Sequence, residues 1–176
     1  CFYLSPVALL VILGYSFTKR FTALCHIVLG IGLGLAPVGA FLTISGKFEL
    51  LPVIFGIAVA CWTGGFDIIY ALQDEKFDRE HQLHSIPAAL GTVKALLVSR
   101  LLHFCTIILL GLAYWEGNFS YLFLGGYLIF IGLILYQHSL VKPNDLSKVD
   151  LAFFTTNGIA SVTFSIFVIS DIFLLH

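Results

Sequence analysis

Asp67, Asp74 and Asp78 are the residues of this chain whose type and spacing best suit chemistry. They stand at and just beyond the end of an apolar run, Leu51 to Phe66, that reads as a membrane helix. A carboxylate at membrane depth is costly unless it faces a cavity, a cation or a partner. On a helix turning about 100° per residue, seven residues return to within roughly 20° of the start and four more add roughly 40°. The three acids therefore share one face if the helix continues through them. Like charges held that close repel, a divalent cation relieves the repulsion, and hard oxygen ligands suit Mg²⁺. The pattern points to a metal site at a membrane surface.

Other polar clusters border the same connections. In Tyr15-Ser-Phe-Thr-Lys19-Arg20 two adjacent cations follow an apolar segment. Such pairs commonly anchor a chain on its cytoplasmic side. Opposite a metal-laden acidic site they gain a second use, because Lys as a point charge and Arg as a planar fork both bind phosphate oxygens. Acids, Mg²⁺ and cations together can hold a diphosphate and stabilise it as a leaving group. His81 and His84 lack a third soft ligand and read as loop histidines. Thr155, Thr156 and Asn157 open the last helix, where such residues hydrogen-bond between helices or reach a substrate.

The elements that must position these residues are membrane helices. Hydrophobic residues make up 59% of the 176 and charged residues only 11%, against about 25% charged in soluble domains. The net charge of -1 gives no reason to expect a nucleic-acid partner. Six apolar segments are expected, over 1–15, 22–43, 51–72, 95–115, 119–138 and 152–175, separated by short connections and by polar stretches at 73–94 and 137–151. Glycines recur within them, as at Gly30, Gly34, Gly56, Gly64 and Gly126, and small residues let helices approach closely in lipid. The expected fold is all-α, a polytopic membrane helix bundle forming one domain over 1–176 in a lipid bilayer. Cys1, Cys25, Cys61 and Cys105 have no metal-ligand spacing and read as small apolar residues. Lys19, Arg20, Lys76, Arg79, Lys94, Lys142 and Lys148 fall in the odd-numbered connections and Lys47 alone in an even-numbered one. Basic residues favour the cytoplasmic side, so the acids and cations are expected on the cytoplasmic face of an inner membrane.

With those residues in view, Asp67-x-x-Tyr70-Ala71-x-x-Asp74-x-x-x-Asp78 resembles the second aspartate-rich motif of the UbiA superfamily of intramembrane prenyltransferases. Tyr15-Ser-Phe-Thr-Lys19-Arg20-Phe-Thr resembles the Lys-Arg connection that precedes it in the 4-hydroxybenzoate polyprenyltransferases of quinone biosynthesis. His84-Ser-Ile-Pro-Ala-Ala-Leu-Gly91 and Pro143-Asn-Asp-Leu-Ser147 resemble the same branch. The resemblance implies a nine-helix fold of which this chain supplies the last part. It also implies Mg²⁺-dependent transfer of a polyprenyl group from polyprenyl diphosphate to an aromatic acceptor such as 4-hydroxybenzoate. Asp67, Asp74 and Asp78 would be metal-binding acids, Lys19 and Arg20 would lie near the diphosphate or the acceptor's carboxylate, and Tyr70 and Tyr15 would border the substrates. The family's first aspartate-rich motif is not among these residues and is expected before residue 1, so this polypeptide alone is expected to be inactive.

The competing reading is a multi-pass, cation-coupled transporter, which accounts for Asp67 but not for acids and bases gathered on one face. A CDP-alcohol phosphotransferase would carry an Asp-Gly-x-x-Ala-Arg signature, which does not occur here.

Overall fold

A computed structural model of the protein describes residues 5–175. Cys1 and the opening of the expected 1–15 segment lie outside them. The described chain is a bundle of helices: α1 (Ser5–Thr18), α2 (Cys25–Ser45), α3 (Leu50–Ala71), α4 (Glu75–Glu80), α5 (Ile86–Leu90), α6 (Thr92–Glu116), α7 (Tyr121–Leu140) and α8 (Asn157–Leu175). Among the described residues five stretches are long and apolar enough to cross a membrane, namely Cys25–Ser45, Leu50–Glu80, Thr92–Glu116, Tyr121–Leu140 and Leu151–Leu174. Large apolar side chains such as Leu10, Ile44, Phe104, Trp115 and Phe173 point outward, as lipid requires. The free thiols are indifferent to that boundary: Cys25 is buried, Cys61 half-buried and Cys105 exposed.

Matched stripes of small residues decide how α2 and α3 pack. Gly30 and Gly34 on α2 oppose Ala60 and Gly56 on α3, in antiparallel register. A Cβ at Gly30 or Gly34 would collide with the backbone carbonyls of Ala60 or Gly56, and one at Gly56 would lie 2.6 Å from Gly34 O. The same stripe continues to Gly64, where an added Cβ would stand 3.4 Å from His26 O. Without side chains to spread them, the two backbones gain dispersion contacts along their length, the driving force available in lipid. The consequence for the site is that the start of α2 lies against the end of α3.

Helix α6 packs on another face of α3 through polar contacts. Ser99 Oγ donates to Gly65 O at 2.7 Å and Thr106 Oγ1 to Ala58 O at 3.3 Å. The His103 ring lies over Gly65, in space that a methyl group would fill, and shares a 2.8 Å hydrogen bond with His138 of α7. Tyr127 Oη donates to Ile107 O at 2.8 Å and joins α7 to α6.

The α7–α8 pair is fastened at its far end by an acid that sequence reasoning passed over. Asp171 of α8 is fully buried, and its carboxylate accepts from the backbone N–H groups of Ser120 at 3.1 Å and Phe123 at 2.8 Å. The first amides of a helix have no partner within it, so α8 supplies the cap of α7. Beside it Phe119 and Phe123 stack at 4.5 Å, with Phe164 edge-on to Phe123 at 5.4 Å.

Two expectations about the connections are refined. The 73–94 stretch is not open loop: a 3₁₀ turn over Leu72–Asp74 leads into α4, and α5 follows after five extended or turn positions. Gly91, with φ 80° and ψ 160°, ends α5 and begins α6 in a backbone conformation that a side chain would strain. The last segment opens with a π-helical turn, Leu151–Thr156. Gln137 of α7 donates through Nε2 to Ala152 O at 2.7 Å, satisfying a carbonyl within that turn.

Candidate active site

Three connections gather at one end of the bundle. His84 N–H donates to Lys19 O at 2.7 Å, which ties the first connection to the third. Gln73 Nε2 donates to Asp150 Oδ1 at 3.1 Å, which ties the third to the fifth. Arg79 fastens the third connection internally, pairing with Glu75 Oε1 at 2.9 Å and donating through Nε to Ala88 O at 3.0 Å. Glu75 Oε2 also accepts from Thr92 Oγ1 at 2.6 Å. Glu75 and Arg79 are thereby committed to holding α4, α5 and the start of α6 together.

Lys19 stands at the centre of this end. Its Nζ lies 2.7 Å from Asp78 Oδ1 and 3.9 Å from Asp74 Oδ2. Asp78 is fully buried, yet neither of its carboxylate oxygens accepts a hydrogen bond; the Lys19 contact is an ion pair without hydrogen-bonding alignment. Asp74 is half-exposed on the 3₁₀ turn. The turn breaks the regular helix between Asp67 and Asp78, so the acids are presented by three consecutive elements rather than by one helical face. The expected partner of Lys19 behaves differently: the Arg20 guanidinium lies 5.9 Å over the Phe17 ring and remains exposed.

Asp67, about two turns before Asp74, is engaged on one side. Its Oδ2 lies 2.6 Å from His26 Nδ1 on α2, and His26 is only 3% exposed. Among the described residues Asp67 Oδ1 has no hydrogen-bond donor. Sequence reasoning did not select His26, because a lone histidine in Ala-Leu-Cys-His-Ile-Val carries no signal until α2 is laid against α3.

No three Asp, Glu, His or Cys side chains among the described residues converge closely enough to enclose an ion by themselves. Mg²⁺, however, is ordinarily held by one or two carboxylates with waters and substrate phosphates completing the shell. Asp78 Oδ2, which neither Lys19 nor a hydrogen-bond donor engages, and the second oxygen of Asp67 fit that partial donor set. Lys19 already balances the buried charge at Asp78 Oδ1, so a metal ion there would share or replace that ammonium.

An aromatic wall runs down α3 from the acids. Trp62, Phe66 and Tyr70 recur every four residues on one face, with Trp62 edge-on to Phe66 at 5.3 Å. Tyr70 stacks on Phe153 at 4.2 Å and meets Phe154 edge-on at 5.9 Å, while Phe66 meets Phe153 at 5.4 Å. The π-helical turn delivers both phenylalanines to this wall. Below it a cavity of about 140 Å³ between α3, α6, α7 and α8 is lined by Phe55, Trp62, Phe130 and Phe164, with Thr106 and Ser165 among the few polar side chains. Tyr15 is set apart from the acids, in a cleft of about 190 Å³ with Val11, Ile12, Val28 and Leu29 between α1 and α2.

Comparison with known proteins gives this arrangement its context. The UbiA prenyltransferase family matches residues 1–159. The chain is 32% identical over 171 residues to the 4-hydroxybenzoate octaprenyltransferase of Francisella tularensis subsp. tularensis (strain FSC 198), covering 96% of the chain and 59% of that protein. It is 30% identical over 164 residues to the 4-hydroxybenzoate octaprenyltransferase of Sodalis glossinidius (strain morsitans), covering 92% of the chain and 55% of that protein. Among solved structures, the apo structure of a UbiA homolog from Aeropyrum pernix K1 superposes with a TM-score of 0.85 at 29% identity, over 97% of the chain and 63% of that protein. The chain thus spans less than two thirds of the length of these relatives, and with the family match over residues 1–159 it belongs to the UbiA prenyltransferase family.

Proposed function

We propose that this chain forms the larger part of an enzyme that transfers a polyprenyl group from polyprenyl diphosphate to an aromatic acceptor such as 4-hydroxybenzoate, in the biosynthesis of a membrane quinone. The observation that carries the reading is Lys19 standing between Asp74 and a fully buried Asp78, with its ammonium 2.7 Å from Asp78 Oδ1, at the mouth of an aromatic-walled bundle. That mouth faces the cytoplasm of an inner membrane in this reading, since the basic residues cluster at the same end.

Each residue then has a task. The C1–O bond of the allylic diphosphate breaks with its electron pair leaving on oxygen, a ring carbon of the acceptor bonds to C1, and the ring proton passes to solvent or diphosphate. Asp67, Asp74 and Asp78 would hold Mg²⁺, which would supply positive charge to offset the diphosphate and improve it as a leaving group. Lys19, released from Asp78, turns its ammonium to the phosphate oxygens, and exposed Arg20 can swing to the same charge or to the acceptor's carboxylate. Tyr70, Phe66 and Phe153 keep water from the electron-poor C1 and present ring faces to it, where a cation is favoured. The isoprenoid tail descends along Trp62 toward the apolar cavity.

The test uses the complete enzyme with radiolabelled polyprenyl diphosphate, 4-hydroxybenzoate and Mg²⁺, scored for lipid-soluble product with EDTA as control. Metal-dependent product is expected, and Asp67→Ala or Asp74→Ala should abolish it, whereas the 176-residue chain alone should give none. Near-normal transfer by both variants would refute the assignment of the acids. Ion uptake into liposomes without diphosphate release would restore the transporter reading.

A further inference from the structure

We propose that His26 is a positioning residue for Asp67: it holds one carboxylate oxygen so that the other is presented to the cation. The inference rests on the reading of Asp67 as a metal-binding acid. His26 has two ring contacts. Nε2 stands 3.4 Å from the Ile86 amide at the start of α5, and Nδ1 faces Asp67, whose carboxylate can only accept. Nδ1–H therefore donates to Asp67 Oδ2, at 2.6 Å.

The ring has little freedom to do otherwise. It is 3% exposed at the first turn of α2, and that turn is fixed against α3 because Gly64 admits the His26 carbonyl. The Ile86 amide opens α5, where first-turn N–H groups have no partner in the helix, and Ser85 caps the same turn by accepting from Ala88 N–H at 3.2 Å. The orientation of Asp67 is thus set from α5 through the imidazole. A carboxylate ordered in this way offers a preformed lone pair on Oδ1, with no rotamer freedom to lose on binding. Groups that orient a metal ligand typically contribute roughly 10–100-fold in metal affinity.

The experiment measures Mn²⁺ affinity by electron paramagnetic resonance in the complete enzyme, with an unreactive polyprenyl thiolodiphosphate present, alongside thermal melting. His26→Leu fills the space without a donor. His26→Asn retains an N–H near the position of Nδ1. Expected are a loss of roughly 10–100-fold in Mn²⁺ affinity for H26L, affinity close to wild type for H26N, and loss of the site in Asp67→Asn. Wild-type affinity in H26L beside lost affinity in D67N would overturn the inference and leave the metal site standing. Wild-type affinity in D67N would overturn the site reading and the inference with it. Equal losses in H26L and H26N, tracking equal falls in melting temperature, would assign His26 to packing alone and also overturn it. Should H26L not fold, H26N decides: retained affinity supports the role and lost affinity overturns it.

Discussion

Gly56→Ala tests the link between helix packing and the site. A Cβ at Gly56 would lie 2.6 Å from Gly34 O and 3.0 Å from Val38 Cγ2, whereas ordinary contact begins at 3.4 Å. The nearer obstacle is backbone, so rotamer changes cannot absorb it. Helices α2 and α3 must part by about 0.8 Å, and overpacking of this kind costs about 1–3 kcal/mol. Carried along the helices as a rigid shift, the same displacement would stretch the 2.6 Å His26–Asp67 contact to the edge of hydrogen-bonding range. Gly39→Ala is the internal control, because nothing lies within 4 Å of a Cβ there and the helix gains up to about 1 kcal/mol from alanine's propensity. That propensity gain is common to both variants, so the difference between them isolates the packing cost. For a chain of this size about 2–4 °C accompanies each kcal/mol, so Gly56→Ala should melt about 2–12 °C below Gly39→Ala in detergent. Equal melting of the two variants would refute the close approach of α2 and α3, and with it the argument that this packing brings His26 to Asp67.

Three further perturbations probe other parts of the molecule. Lys19→Ala should lower transfer activity through weaker diphosphate binding, read as a raised KM for the polyprenyl diphosphate, and should also lower the melting temperature, because the buried Asp78 loses the cation paired with it. Asp171→Ala removes the buried carboxylate from the Ser120 and Phe123 amides and should destabilise the protein by about 1.5–3 kcal/mol per charged hydrogen bond lost, seen as a lower melting temperature with metal affinity preserved. Hydrogen bonds from the Ser147 hydroxyl and amide, with smaller help from Lys148 and Lys142, hold the Asp145 carboxyl below the usual carboxylate range. A depressed folded-state pKa means that the ordering of this turn is complete above the ordinary Asp value and is lost as pH falls through the lowered one. The Ser147 amide shift in an NMR titration should therefore move only below the ordinary Asp pKa, and a midpoint at or above it would contradict the geometry.

The sequence made some of this legible and not the rest, for physical reasons. Apolar runs long enough to span lipid are visible residue by residue, and four of the five membrane-length stretches lie within about three positions of their expected bounds, while the third expected segment continues past position 72 to Glu80. The acids Asp67, Asp74 and Asp78 and the cation Lys19 were selected because charge beside an apolar run is rare, and Lys19, Asp74 and Asp78 do meet. Their presentation was not legible: a 3₁₀ turn at Leu72–Asp74 depends on where Leu72 must be buried, which periodicity alone does not specify. His26, Gln137 and Asp171 sit in apolar runs, and each acquires meaning only from a partner 41, 15 or 51 positions away. The π-helical turn likewise follows from the tertiary partner of Ala152 O and leaves no local mark in Leu151–Thr156.

The Asp171 cap has a consequence for biogenesis. Helix α7 begins at Tyr121, but the carboxylate that completes its first turn belongs to a residue synthesised some fifty positions later. During translation α7 must therefore enter the bilayer with its leading amides unanswered, at the membrane edge where water or lipid headgroups can serve them. Only when α8 arrives does the hairpin close. A premature stop codon a few residues before the end of this chain would leave every aspartate, lysine and aromatic of the proposed site encoded, yet release a hairpin that never locks. Membrane quality-control proteases would then discriminate between the full and shortened chains at a point remote from any chemistry, so loss of function there would appear as low abundance rather than as an inactive enzyme.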